Sequence, residues 1–229
     1  MTLLAMLSSF RLVEAPHENE KETQASVGGH LRATIADITG SRSLQLLFAY
    51  QLVTYATGEV AFQFRSLWYI EEGVPTEYHA LAAIATFSLS AIGTRIATYV
   101  DTSGTKALRL LLLCSLFTLI INLIAVTMFT GSLAVALTIL PSLAWGTSWP
   151  AMSLLVNESA QPSRRATLLS VASSFRELGF ALAAPPLGVY GDVYGQRSLH
   201  FATACIYVLA PIILLLVPCR RESKGARKN

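Results

Sequence analysis

Leu110 to Asn157 reads LLLLCSLFTLIINLIAVTMFTGSLAVALTILPSLAWGTSWPAMSLLVN and contains no Asp, Glu, Lys, Arg or His. As one helix it would be roughly 70 Å long, over twice the ~30 Å hydrocarbon core of a bilayer. It is therefore expected to fold back on itself, with Thr130-Gly131-Ser132 supplying the turn. That reading places one membrane span near 107–129 and another near 132–156. Between Ser198 and Cys219, His200 is the only Asp, Glu, Lys, Arg or His, which gives a further span near 199–218. Three more, about 44–69, 79–100 and 167–190, carry polar interruptions and are separated by short links such as Glu71-Glu72-Gly73-Val74-Pro75. Backbone groups cannot stay unpaired in lipid, and segments this long exceed barrel strands, so helices are the remaining solution. The expected fold is an all-α integral membrane protein with six transmembrane helices.

Composition agrees. Charged residues make up 14% of the 229 and hydrophobic ones 53%, with a mean hydropathy of +0.51; soluble domains carry about 25% charge. A soluble chain of this size cannot hide so much apolar surface. Net charge is only +3, and no Lys/Arg run is interleaved with aromatics, which excludes a nucleic-acid binder. Cys114, Cys205 and Cys219 suit neither a disulfide framework nor a zinc site and read as small core residues. Acylation of juxtamembrane Cys219 is the other reading.

The distribution of basic residues orients the spans. Arg11, Lys21, Arg32 and Arg42 precede the first span, Arg95, Lys106 and Arg109 flank the second link, and Arg164 and Arg165 the fourth. Arg220, Arg221, Lys224, Arg227 and Lys228 form the tail, whereas the opposite side has only Arg197 in a loop. Both termini are expected to be cytoplasmic, in the plasma membrane. Met1–Val13 lacks the basic start and small-residue cleavage site of a signal peptide. It fits equally the end of a helix whose beginning lies elsewhere. Residues 14–30 read as a mobile linker and 31–39 as a short amphipathic helix on the membrane surface. The expected organisation is 1–43 as cytoplasmic stub, linker and surface helix, 44–218 as the membrane domain, and 219–229 as a basic tail.

Asp-x-x-Gly-x-Lys/Arg occurs twice, as Asp101, Gly104, Lys106 and as Asp192, Gly195, Arg197, each between two apolar spans. Three spans separate corresponding points, so the copies have opposite orientation, as in 3+3 inverted repeats. Gly188-Val189-Tyr190-Gly191-Asp192-Val193-Tyr194-Gly195-Gln196-Arg197 resembles the G-x-x-x-D-x-x-G-x-R/K loop signature of the major facilitator superfamily. Tyr99 to Lys106 resembles it more loosely, with Ala97 at the first glycine position, and Pro162 to Thr167 is similar to the family's loop before its eleventh helix. Over about 31–218 the order of features resembles the carboxyl-terminal six-helix half of such a transporter. The resemblance implies secondary transport of a small solute by alternating access. Complete members have twelve spans in two halves with the pathway between them. The implied partners are therefore lipid, a small-molecule solute, and an amino-terminal half or a second copy. Asp101, Gly104, Lys106, Gly188, Asp192, Gly195 and Arg197 are then the conformational loop motif.

Candidate substrate or coupling residues are the polar and aromatic groups within spans. Charge at a helix centre costs at least ~2.5 kcal/mol, so such groups face protein or water. Arg176 and Glu177 are either an anion-attracting and a titrating group or separate interhelical ties; adjacent helix residues diverge by ~100° and do not face each other. Tyr55, Glu59 and Gln63 share one face at i, i+4 spacing, lining a cavity or clustering at the interface. Trp145 and Trp149, also four apart, suit ligand stacking or an aromatic packing contact. Asn122 reads as interhelical glue. His79 and His200 have no neighbours at metal-ligand spacing, and no nucleotide motif occurs, so no metal and no cofactor are expected. Gly146, Pro141, Pro185, Pro186 and Pro211 permit kinks. An intramembrane protease would want Gly-x-Ser-Gly and a deep His; Gly146-Thr147-Ser148-Trp149 lacks the second glycine, so no enzyme is expected. A pore would need a re-entrant filter, and no duplicated half-helix occurs. A non-transporting remnant or accessory membrane subunit shares every feature above and stays open.

Overall fold

A computed structural model of the chain describes residues 27–100, 104–159 and 164–218. The Met1–Val13 stub, the linker up to residue 26, Asp101, Pro162, Ser163, Cys219 and the basic tail lie outside the described residues. All regular structure among the described residues is helical: α1 Val27–Gly40, α2 Arg42–Glu71, α3 Glu77–Ala97, α4 Gly104–Met128, α5 Gly131–Leu137, α6 Pro141–Ser159, α7 Arg165–Tyr194, α8 Gln196–Tyr207 and α9 Leu209–Leu216. Four segments are long and apolar enough to cross a membrane: 77–97, 104–128, 131–159 and 196–216. α2 and α7 are each 30 residues long, and they carry the charges that interrupt an otherwise spanning length, among them Glu59, Arg65, Arg176 and Glu177.

Two expected spans are broken helices, and one cause explains both. Proline lacks the N–H that would bond the carbonyl four residues back, and its ring crowds that carbonyl. Four residues before Pro141 stands Leu137, the last residue of α5; four before Pro211 stands Tyr207, the last of α8. The α5–α6 junction tightens to i→i+3 bonds, Ile139 N to Ala136 O at 3.3 Å and Leu140 N to Leu137 O at 3.1 Å. Pro150, Pro185 and Pro186 stay inside continuous helices. The expected turn at 130–132 is present, with Gly131 in the left-handed region (φ 62°). α1 begins at Val27, earlier than the expected 31, so the reading of 14–30 as linker fails at its last residues. It packs on α2 and α7, tied by the Asp37–Arg164 ion pair at 2.8 Å.

Packing follows small residues where backbones approach. A Cβ on Gly93 of α3 would collide with the Leu143 carbonyl, and one on Gly146 of α6 with the Ser90 carbonyl. The contact is sealed reciprocally: Thr94 Oγ1 donates to Gly146 O at 3.1 Å, and Thr147 Oγ1 to Gly93 O at 3.2 Å. This is the small-residue crossing that lets membrane helices gain dispersion contact and hydrogen bonds together.

Two apolar cores result. One joins Leu44, Leu47, Phe48, Leu111, Val156, Leu168 and Leu214 at one end of the bundle. The other joins Trp68, Tyr69, Val74, Val126 and Val135 at the opposite end. The outer surface is apolar as well: Leu81, Ile84, Phe87, Leu113, Ile120, Leu182 and Leu215 are exposed. Only 22–39% of each apolar window is buried within the chain. An outside this greasy is unstable against water and matches lipid.

Candidate functional site

Between the two cores lies a polar layer built from α2, α4, α6, α7 and α8. Two cavities occupy it. The smaller, about 140 Å³, is walled by Tyr50, Gln51, Thr54, Tyr55, Trp149, Ser173 and Arg176 among others. The larger, about 330 Å³, extends toward the second core past Glu59, Arg65, Asn122 and His200. Thr118, Trp145 and Tyr207 line both and divide them.

Four sequence candidates, Tyr55, Trp145, Trp149 and Arg176, line the smaller cavity, and Glu177 joins them through Tyr55. The Arg176 guanidinium lies over the Trp149 ring, 4.4 Å from its centroid, and 5.6 Å from that of Tyr55. Nη2 donates to Ser173 Oγ at 2.8 Å and Nη1 reaches Gln51 Oε1 at 3.4 Å. Nε is shut from solvent with no hydrogen-bond partner among the described residues. Tyr55 donates its hydroxyl to Glu177 Oε1 at 2.8 Å. Arg176 and Glu177 make no ion pair, as their ~100° divergence requires; both meet Tyr55 of another helix, and the Glu177 charge also acts on Arg176 through space. The Trp145 and Trp149 rings lie 6.3 Å apart, and Trp145 continues the aromatic row to Tyr55, also at 6.3 Å. Trp145 and Trp149 are 37% and 46% exposed, and Glu177 is exposed. The cluster therefore opens on one face of the bundle at mid-depth.

Glu59 and Gln63 do share a face: Gln63 Nε2 donates to Glu59 Oε1 at 2.6 Å. Glu59 lines the larger cavity, and Gln63 points outward. Two further groups there are not among the sequence candidates, although Arg65 lies beside the Glu59 and Gln63 stripe in sequence. Arg65 Nη1 donates to Thr86 Oγ1 at 3.0 Å with its guanidinium over Phe62. His200 is buried, 4.5 Å from the Trp68 ring, its two nitrogens facing Gln196 O (2.9 Å) and Ala61 O (3.2 Å). Its position near a span end hid this. Among the described residues no cluster of three or more His, Cys, Asp or Glu is placed to hold a metal ion.

The loop motif divides. Gly104 and Gly195, equivalent positions of the two copies, both take positive φ (48° and 88°), Gly104 as the first residue of α4 and Gly195 immediately before α8. Lys106 is exposed in the first turn of α4, Gly188 packs beside Phe64, and Asp192 is exposed. Arg197 forms a clasp. Its Nη2 and Nε donate to Glu72 Oε1 at 2.6 and 2.9 Å, and Nη1 and Nη2 also donate to Val126 O (3.1 Å) and Phe129 O (2.9 Å). Glu72 accepts further from Gly131 N at 2.6 Å and Trp68 Nε1 at 3.0 Å, while Glu71 accepts from Gln196 N at 2.6 Å. Burial pushes the Glu72 carboxyl up, but the Gly131 N–H, Arg197 and Trp68 together outweigh it and hold it below the usual carboxylate range. The links after α2, α4 and α7 are thereby gathered at one end of the bundle, so successive long segments run alternately up and down.

Compared with known proteins, the chain matches no protein-family model, no curated protein and no solved structure.

Proposed function

We propose that the chain is a six-span helical unit of major-facilitator type that moves a small solute across a membrane by alternating access, its site being the face formed by Tyr55, Trp145, Trp149, Arg176 and Glu177. The observation carrying this reading is that charged and aromatic cluster, held at mid-depth between two apolar cores and open on one face. Charges facing lipid at that depth cost several kcal/mol, about 2.5–3.5 each on insertion scales. α2 and α7 are about 45 Å long, enough to cross. In this reading they do, with their charges turned to the cavities, and the open face is covered by a second set of helices that completes a water-filled pathway.

Packing supports the inverted repeat. Exchange α2 with α5–α6, α3 with α7, and α4 with α8–α9. The close α3–α6 contact then becomes the α7–α2 contact, and α4–α6 becomes α8–α9 on α2. The α4 contact with α8–α9 maps onto itself. The exceptions are α7 on α8, where Gly191 meets Leu199, and α6 on α7, which have no counterpart of like extent in α3 on α4 or α2 on α3. The end carrying the clasp holds Arg197 as its loop cation, and that charge is spent on Glu72. Arg32, Arg42, Arg95, Lys106, Arg109, Arg164 and Arg165 belong to the other end, which is the cytoplasmic one by the positive-inside rule.

The test is flux. Purified chain in liposomes should pass solute only when a second six-helix unit, a separate half or another copy, is present. Flux from a strict monomer would refute the two-unit pathway. No flux in any assembly would leave the accessory-subunit reading instead.

A further inference from the structure

We infer that the smaller cavity binds a small organic monoanion, a carboxylate carrying a compact apolar body, with Arg176 as the group that holds the carboxylate. The inference rests on the transport reading only in taking this ligand as the solute carried.

Among the described residues, Arg176 is the one Asp, Glu, Lys, Arg or His lining this cavity. No described carboxylate forms an ion pair with it. Neither neighbouring acid lines the cavity: Glu177 lies behind Tyr55, bonded to its hydroxyl, and acts on Arg176 only through space, and Glu59 lines the other cavity and is bonded to Gln63. A guanidinium has five N–H donors in a planar fork. Protein acceptors take one from Nη2 and, at a long 3.4 Å, one from Nη1. The guanidinium carbon lies 4.4 Å from the Trp149 ring centroid and Nε is shut from solvent, so the donors left for a ligand are the second N–H groups of Nη1 and Nη2, a pair that can grip a carboxylate in a bidentate fork.

The rest of the wall sets the class. Met152, Val156, Leu169 and Ala172 are apolar, while Thr118, Ser148 and Ser153 add uncharged hydroxyls; Tyr50 is engaged with Ser115 at 3.1 Å and Thr54 with Tyr50 O at 2.8 Å. One cation in a chamber whose other walls are uncharged neutralises one negative charge. A second charge, as on phosphate or a dicarboxylate, would find no second cation there and would be desolvated without compensation. A neutral isostere would leave the arginine fork unpaired.

The probe pair is benzoate and benzamide, alike in shape and different in charge, measured against the full chain in phosphatidylcholine nanodiscs by scintillation proximity with radiolabelled benzoate. Benzoate should bind at least about tenfold tighter than benzamide, the range expected for hydrogen bonds to a charged group. Arg176→Gln should remove that preference, lowering benzoate affinity about tenfold while benzamide is unchanged, and Arg176→Lys should fall between. Equal binding of benzoate and benzamide overturns the inference. So does a benzoate preference that survives Arg176→Gln. Inorganic phosphate competing as well as benzoate overturns the monoanion class. If Arg176→Gln fails to fold, the wild-type benzoate-to-benzamide ratio and the Arg176→Lys value decide alone. Arg176-dependent benzoate binding without flux in any assembly would sink the transport reading and leave the site. Flux of a cationic solute with no benzoate preference would do the reverse.

Discussion

Removing the Glu72 side chain strikes the clasp at its centre, because that one carboxylate is bonded to two other segments and to its own helix at once. Glu72→Ala deletes the acceptor of the Arg197 fork, of the Gly131 N–H and of the Trp68 indole. Glu72 is 7% exposed and Arg197 30%. Breaking a fully buried pair from one side costs about 3–5 kcal/mol, and an exposed pair is worth below about 1 kcal/mol. With one partner closed off and the other partly wet, the expected loss is about 2–3 kcal/mol. It should appear as a lower midpoint in mixed-micelle denaturation followed by circular dichroism. In a double-mutant cycle with Arg197→Ala, the coupling should be about 1 kcal/mol or more. Acid reads the same contact. Because the folded carboxyl is held below its unfolded value, its stabilisation is full above the unfolded pKa of about 4.3 and is lost as pH falls through the lower folded value. Glu72→Gln should flatten that part of the acid profile. A loss under about 0.5 kcal/mol with additive single mutants would show that the clasp contributes no more than ordinary surface contacts.

Gly146→Ala should cost about 1–3 kcal/mol, since its Cβ meets the Ser90 backbone and α3 must move away. Gly40→Ala, with nothing within 4 Å, should be neutral or stabilise by up to about 1 kcal/mol; equal effects in a thermal melt would remove the close α3–α6 crossing from the account. Asp37→Ala should cost under about 1 kcal/mol, because the Asp37–Arg164 side chains are 34% and 29% exposed. Glu177→Gln should abolish any proton coupling of transport, measured as the pH dependence of solute uptake, and an unchanged profile would take Glu177 off the pathway.

Helix extents were legible where a single local property governs them. Charge-free runs marked the segments around 104–128 and 196–216, and Gly131 marked the hairpin between α4 and α5. The breaks at Leu137 and Tyr207 were less so: Pro141 and Pro211 had been read only as permitting kinks. Not every proline breaks its helix, as Pro150, Pro185 and Pro186 demonstrate. Spacing along one helix found Glu59 with Gln63 and Trp145 with Trp149. It could not find Tyr55 with Glu177 or Glu72 with Arg197, pairs over 120 positions apart that only the tertiary fold brings together. A charge argument would have reached the second. Arg197 is the lone loop cation of its side, and Glu71-Glu72 is the acidic pair of that same side. Arg65 and His200 stayed hidden because their partners, a threonine hydroxyl and two backbone carbonyls, carry no sequence signature.

The account stands on α2 and α7 crossing the membrane in addition to the four apolar segments. Single cysteines at Thr39, Thr76, Ser159 and Tyr194, in a background with Cys114, Cys205 and Cys219 replaced by Ala, test this directly with an impermeant thiol reagent on intact cells. Six spans predict that Thr76→Cys and Tyr194→Cys label from outside, whereas Thr39→Cys and Ser159→Cys label only after permeabilisation. Labelling of Thr39→Cys and Thr76→Cys from the same side, or of Ser159→Cys and Tyr194→Cys from the same side, would contradict it.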